Sequence, residues 1–267
     1  MRRSSAPFVV TVGATRVRVR ITGTGTPLLM LMGIGGNLDM WAPLTQRLPG
    51  RELIMFDFPG SGGSGMPRFP PTMGCNALFT RALLRRLGYR RVDVIGYSWG
   101  GMLAQHLAIQ HPRSVDRLVL ACTSFGFGAI PPGPRVAARM MTPRRYYSRQ
   151  YFAKIAPGLY GGRLRADETL IKDEANRRIG RPSGFAGYAS QLLSVAGYSS
   201  LPGLPFISAP TLILAGDDDP IVASANQRVL AKFIRHSTLR VLPGSGHLLL
   251  LDTPEVAGPL IDEFLTR

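Results

Sequence analysis

One serine, one of three consecutive aspartates and one histidine are the residues of this chain that could together do covalent chemistry. Ser98 stands in GYSWG, residues 96–100. Before it, Val92, Val94 and Ile95 form a short β-branched run; after it, Met102, Leu103, His106, Leu107 and Ile109 recur at helical spacing. Ser98 therefore falls on a strand-to-helix turn. Gly96 and Gly100 remove Cβ atoms that a sharp turn would bring into collision, and Gly101 adds room. This is the G-x-S-x-G nucleophile-elbow pattern, in which the turn lifts the hydroxyl above the sheet and the helix N-terminus faces developing negative charge.

A serine hydroxyl is a weak nucleophile at neutral pH, so it needs a base, and the base needs a third group to fix its tautomer. Of the four histidines, His106 and His111 lie in the helix after the turn, and His236 ends a helix before a strand; each has a structural reading. His247 sits in VLPGSGHLLLLDTPE, a glycine-rich loop between the last strand and the last helix, on the side where strand C-termini gather active sites. The preceding strand ends in LAGDDDPIV, and its adjacent carboxylates Asp217, Asp218 and Asp219 repel one another. Asp219, just before Pro220, is the expected acid, with Asp217 as the alternative. An oxyanion needs two backbone N–H donors. These are expected from Trp99 and, in LMGIGGN, from Ile34, beside Gly33, Gly35 and Gly36.

A second glycine cluster, FPGSGGSG, has G-x-G-x-x-G spacing at Gly60, Gly62 and Gly65. Pro67, Pro70 and Pro71 follow where a dinucleotide site needs a helix, and positions 85 and 86 are arginines rather than acids. No cofactor site is read there. Cys75 and Cys122 have neither metal-ligand spacing nor the density of a disulfide scaffold and read as free thiols of a reducing cytoplasm.

The elements that must position these residues follow from the hydropathy pattern. FVVTVGATRVRVRITG alternates around Gly13 and reads as an antiparallel hairpin. TPLLMLM, ELIMFDF, RVDVIGY, VDRLVLA, APTLILAG and STLRVL are short apolar runs, as in a parallel sheet buried on both faces. Helical periods fall near 38–48, 74–87, 99–111, 223–234 and 254–265. Between positions 124 and 208 the rhythm breaks: Pro131, Pro132, Pro134, Pro143, Pro157 and Pro182 divide the segment into short helical pieces, expected as an insertion. It holds eleven of the chain's 22 aromatic residues.

The length of 267 residues and 45% hydrophobic content suit one large α/β domain with an inserted subdomain and exclude a disordered chain. No stretch approaches the about 18 apolar residues of a membrane span, and MRRSSAPFVV has two arginines without an apolar signal-peptide core, so an unexported cytoplasmic protein is expected. The net charge is +16, and residues 128–200 carry twelve basic against four acidic side chains. Arg135, Arg139, Arg144, Arg145 and Arg149 are expected to draw this segment to an anionic lipid or granule surface, with GC-rich codon usage as the alternative source of the arginine excess. Nucleic acid is disfavoured, since no helix-turn-helix, zinc or RNP-like signature accompanies the charge.

The order Ser98, Asp219, His247, together with the donor loop, is similar to the α/β-hydrolase superfamily over nearly the whole chain. More narrowly, GIGGNLDMW, FDFPGSGGS, GYSWGGMLAQ, TPRRYY, IAPGLYGG, AGDDDPI and GHLLLL resemble the intracellular medium-chain-length poly(3-hydroxyalkanoate) depolymerases. The resemblance implies the α/β-hydrolase fold: a mostly parallel eight-stranded sheet with helices on both faces. Its core would be residues 1–123 and 209–267, and residues 124–208 a helical cap inserted after strand six. It implies Ser98 as nucleophile, Asp219 as acid and His247 as base, with no metal or organic cofactor. Met32 stands where many relatives outside this group carry the histidine of a His-Gly pair, which separates the chain from ordinary lipases and leaves the backbone donor in place. The expected activity is a serine carboxylic-ester hydrolase acting through an acyl-enzyme on hydrophobic esters, the narrower substrate being a 3-hydroxyalkanoate oligomer or polymer. A general carboxylesterase or lipase, a thioesterase and a carbon–carbon bond hydrolase share the same triad. From other classes, a non-catalytic small-molecule binder and a basic surface-binding protein remain as alternatives.

Overall fold

Eight apolar or alternating runs pair into a single sheet. The computed structural model describes residues 6–267; the arginines of the opening segment, Arg2 and Arg3, lie outside the described residues. The strands are β1 (Phe8–Val12), β2 (Thr15–Thr22), β3 (Thr26–Leu31), β4 (Arg51–Phe56), β5 (Val92–Tyr97), β6 (Val115–Ala121), β7 (Thr211–Gly216) and β8 (Ser237–Leu242), in the order β1-β2-β4-β3-β5-β6-β7-β8. β2 runs antiparallel to both β1 and β4, and every other pairing is parallel. β5 and β7 are buried at all six positions, as continuous apolar runs in the middle of a covered sheet should be. The one acid of β5, Asp93, is paired with Arg51 of β4 at 2.6 Å.

The helices are α1 (Ala42–Thr45), α2 (Met73–Arg86), α3 (Trp99–Gln110), α4 (Pro134–Met140), α5 (Arg149–Tyr160), α6 (Glu168–Ile179), α7 (Phe185–Val195), α8 (Ser224–Phe233), α9 (Leu249–Asp252) and α10 (Pro254–Thr266). α4 to α7 occupy the stretch between β6 and β7, with 3₁₀ turns joining α4 to α5 and α5 to α6. None of the helices is long and apolar enough to cross a membrane, among the described residues.

Three expectations are corrected. The helix read over 38–48 is a 3₁₀ turn, Leu38–Trp41, followed by the single turn of α1. Asp57 takes the Leu38 N–H at 2.7 Å, and Pro43 has no N–H with which to continue the helical ladder. STLRVL is not buried on both faces: it forms the edge strand β8, with alternating exposure. Pro157 does not divide its segment but lies inside α5, near the last turn, where it removes one hydrogen bond without ending the helix.

Candidate active site

Ser98 occupies the N-cap of α3, with φ 55° and ψ −119°. That is the left-handed region, which non-glycine residues rarely adopt. A capping serine ordinarily accepts an N–H of the first helical turn; here the side chain makes no such bond. The backbone is pinned instead by the end of β6: Ser98 N–H donates to Ala121 O at 2.9 Å, and the Thr123 hydroxyl donates to Ser98 O at 2.7 Å. The turn depends on its glycines. A Cβ on Gly100 would stand 2.1 Å from Leu31 O, and one on Gly96 would stand 2.6 Å from Ala104 Cβ. The strained turn sends Ser98 Oγ to His247 Nε2, 3.0 Å away.

His247 is placed by the loop between β8 and α9. Its N–H donates to Tyr160 O, the last carbonyl of α5, at 2.7 Å. Its ring lies between Tyr160, stacked at 6.3 Å, and Tyr97, tilted at 5.4 Å. Its Nδ1 is 2.7 Å from Asp219 Oδ2. Since a carboxylate only accepts, Nδ1 carries the proton and Nε2 is free to accept from Ser98.

The three aspartates have different partners, which relieves the repulsion anticipated among them. Asp217 accepts from Gly244 N–H at 2.7 Å and closes the loop after β8. Asp218 accepts from Gly162 N–H and pairs with Arg165 at 2.6 Å; Arg165 holds its carboxyl below the ordinary carboxylate range. Asp219 accepts from Ile221 and Val222 N–H through Oδ1, leaving Oδ2 to His247. The geometry thus brings together Ser98, His247 and Asp219, and leaves Asp217 apart. His106 packs edge-on against Tyr198, and His236 is exposed.

Among the described residues, no acceptor takes the N–H of Ile34 or Trp99. The loop carrying Ile34 is held from the segment between β6 and β7: the Tyr146 hydroxyl donates to Ile34 O at 2.6 Å, and Gly35 N–H donates to Gln191 Oε1 at 2.7 Å. The Trp99 indole Nε1 reaches Gln191 O and Ser194 Oγ, both at 3.1 Å. The turns of FPGSGGSG surround Asp57, whose oxygens accept from Gly63 and Leu38 N–H, and the next helix begins only at Met73. Cys122 Sγ lies with ligand atoms of Asp219 and His247 within 4.8 Å of one another. Both ring nitrogens of His247 are already engaged, and burial pushes the Cys122 thiol far up, so it stays protonated.

A narrow cavity of about 20 Å³ lies beside Ser98 and His247, with Met32, Met40, Met140 and Ile221 among its apolar walls. Two further lining residues are Arg145 and Arg178, only 1% and 2% exposed. Arg145, expected on the surface with its basic neighbours, is therefore a correction: the chain turns it inward, where it donates to Thr142 O at 3.0 Å and to the Tyr188 hydroxyl at 2.8 Å. Burial pushes the Tyr188 phenol up to about 12, so it stays neutral and donates to Met140 O at 2.5 Å. These residues escape a reading of the sequence; the aromatic density of the insertion, which supplies Tyr146, Tyr160 and Tyr188 around the two cations, is the one signal that could have found them.

The family model described as alpha/beta hydrolase fold matches residues 26–254. A poly(3-hydroxyalkanoate) depolymerase from Ectopseudomonas oleovorans is 42% identical over 241 residues, covering 90% of this chain and 84% of its own length. Among solved structures, an enol-lactonase from Burkholderia xenovorans superposes with a TM-score of 0.84 at 22% identity, over 97% of this chain and 100% of that one. An esterase from Exiguobacterium antarcticum gives 0.82 at 24% identity, over 97% and 99%. Likeness at these identities concerns the fold; the family match concerns the chain, which belongs to the α/β-hydrolase fold family.

Proposed function

We propose that this chain is a serine carboxylic-ester hydrolase that acts through an acyl-enzyme, with a 3-hydroxyalkanoate oligomer or polymer as its substrate and residues 124–208 as the cap over its site. The hydrogen-bond chain Asp219–His247–Ser98, at 2.7 and 3.0 Å, is the observation that carries this reading. Ser98 Oγ attacks the ester carbonyl while His247 Nε2 takes its proton, and Asp219 stabilises the imidazolium that forms. The oxyanion accepts from the N–H groups of Ile34 and Trp99, each such donor contributing about 3–4 kcal/mol at the transition state. His247 then protonates the leaving alcohol, and water, activated by the same histidine, releases the acid. The polyester assignment draws on the 42% identity to a depolymerase, and a reducing cytoplasmic setting fits the two free thiols, Cys75 and Cys122.

The test is turnover of p-nitrophenyl esters beside a suspension of medium-chain polyester. Ser98→Ala should lose on the order of a million-fold in kcat with the fold intact. A fluorophosphonate should label Ser98 alone; labelling at another serine, or activity retained in Ser98→Ala, would overturn the mechanism. Turnover of small esters without release of acid from the polyester would confine the reading to a general esterase.

A further inference from the structure

Arg145 and Arg178 form a cationic wall in the same cavity as Ser98, and the ester chemistry proposed above does not use them. Burying a guanidinium is unfavourable unless an anion accompanies it. Arg145 has none: its partners are Arg139 O at 3.4 Å, Thr142 O at 3.0 Å and the Tyr188 hydroxyl at 2.8 Å, all uncharged. Arg178 reaches Glu174 at 3.4 Å, but that carboxylate is shared with Arg177, which is closer at 2.6 Å. Both buried arginines have an Nε–H without an acceptor among the described residues. Their guanidinium carbons stand 4.8 and 5.7 Å from the Tyr146 ring centroid, so the two charges flank one side chain. That side chain also holds the loop of Ile34. Arg178 further lies over Tyr160, the ring stacked on His247. Packing against aromatic faces places the arginines; it does not neutralise them.

Resting on the hydrolase reading, we infer that Arg145 and Arg178 form a subsite for a carboxylate, and that the preferred substrate is an ester bearing a free carboxylate on its alcohol side. A hydroxy-acid oligomer has this group at one end. When Ser98 attacks the last ester bond, the carbonyl carbon bonds to Oγ and the ester C–O bond breaks. The departing alkoxide takes the proton from His247 and leaves as a hydroxy acid whose carboxylate the arginines have held throughout. The acyl-enzyme is then hydrolysed by water. Charge-assisted hydrogen bonds of this kind correspond to about tenfold to a hundredfold in affinity.

The wild-type enzyme is tested on a medium-chain 3-hydroxyalkanoate dimer ending in a free carboxylate and on the same dimer ending in a primary carboxamide. The free acid should have a kcat/KM about tenfold to a hundredfold higher. The 3-hydroxy acid monomer should compete with a p-nitrophenyl ester, while its amide should not. In Arg145→Gln and Arg178→Gln, checked for folding by circular dichroism, the acid-to-amide ratio should fall towards one. If neither variant folds, the two wild-type comparisons decide. Equal rates and equal inhibition for acid and amide overturn the subsite, as does an unchanged ratio in folded variants. Absence of turnover on both dimers and on the neutral ester overturns the hydrolase reading instead.

Discussion

Ser98 and Cys122 are the two non-glycine residues with positive φ among the described residues, at 55° and 46°. They flank the contact between the elbow and the end of β6, so the strain, about 1–3 kcal/mol for each, is concentrated where Oγ must be aimed. The residue scale also separates the three aspartates. Asp219→Asn should lower kcat on a p-nitrophenyl ester by roughly ten-thousandfold, because an amide there favours the wrong tautomer of His247. Asp217→Asn keeps an amide oxygen that can accept from Gly244 N–H, and Asp218→Asn loosens an ion pair with an exposed arginine, worth less than about 1 kcal/mol. Both should retain kcat within about tenfold, and a crippled Asp217→Asn would transfer the acid's role to that residue. Choosing Asp219 from the sequence needed only its place before Pro220 at the end of an apolar strand. Arg145 gave no comparable signal, since burial of one arginine in a basic run is decided by Tyr188, forty-three positions away.

Strands were legible in the sequence because a run buried on both faces has no polar alternation to confuse it, and β5 and β7 fall where such runs predict them. The break between the 3₁₀ turn at Leu38 and α1 was not, because Asp57, from a distant strand end, sets it. Arrangement among α4 to α7 was likewise hidden, being held by pairings such as the Tyr188 hydroxyl to Met140 O. An element-scale prediction concerns Asp252, the last residue of α9. Its carboxyl oxygens are buried and meet no donor from another of the described residues. Burial, reinforced by Glu174 and opposed by Arg163, raises its pKa from 3.8 to about 6. Between those values the folded chain keeps a proton that the unfolded chain gives up, so stability falls as pH rises and the whole penalty is present above pH 6. Asp252→Asn should therefore stabilise the protein by on the order of 3 kcal/mol at pH 8 and by little near pH 4. Urea unfolding at the two pH values checks this; an equal gain at both would remove the ionisation argument.

For the molecule as a whole, cavity and surface make separate demands. Apolar walls at Met32, Met40, Met140 and Ile221 should reward each added methylene by about 0.8 kcal/mol, or up to about fourfold in kcat/KM, until the cavity is full. An acyl series of p-nitrophenyl esters should rise to a medium length; a profile favouring acetate would contradict it. Outside, the segment between β6 and β7 exposes Arg135, Arg144 and Arg149, and also Phe127, Met141, Phe185 and Phe206. Adsorption to anionic particles should weaken with salt, while hydrolysis of a dissolved ester should not. Equal adsorption to neutral particles would make the arginines bystanders. The bonds from Tyr160 O to His247 N–H and from the Tyr146 hydroxyl to Ile34 O tie the insertion to the base and to the oxyanion loop. A displacement of this segment that broke both bonds would release the proposed base and the proposed oxyanion loop together, so in the proposed mechanism attack by Ser98 requires the segment between β6 and β7 to be seated.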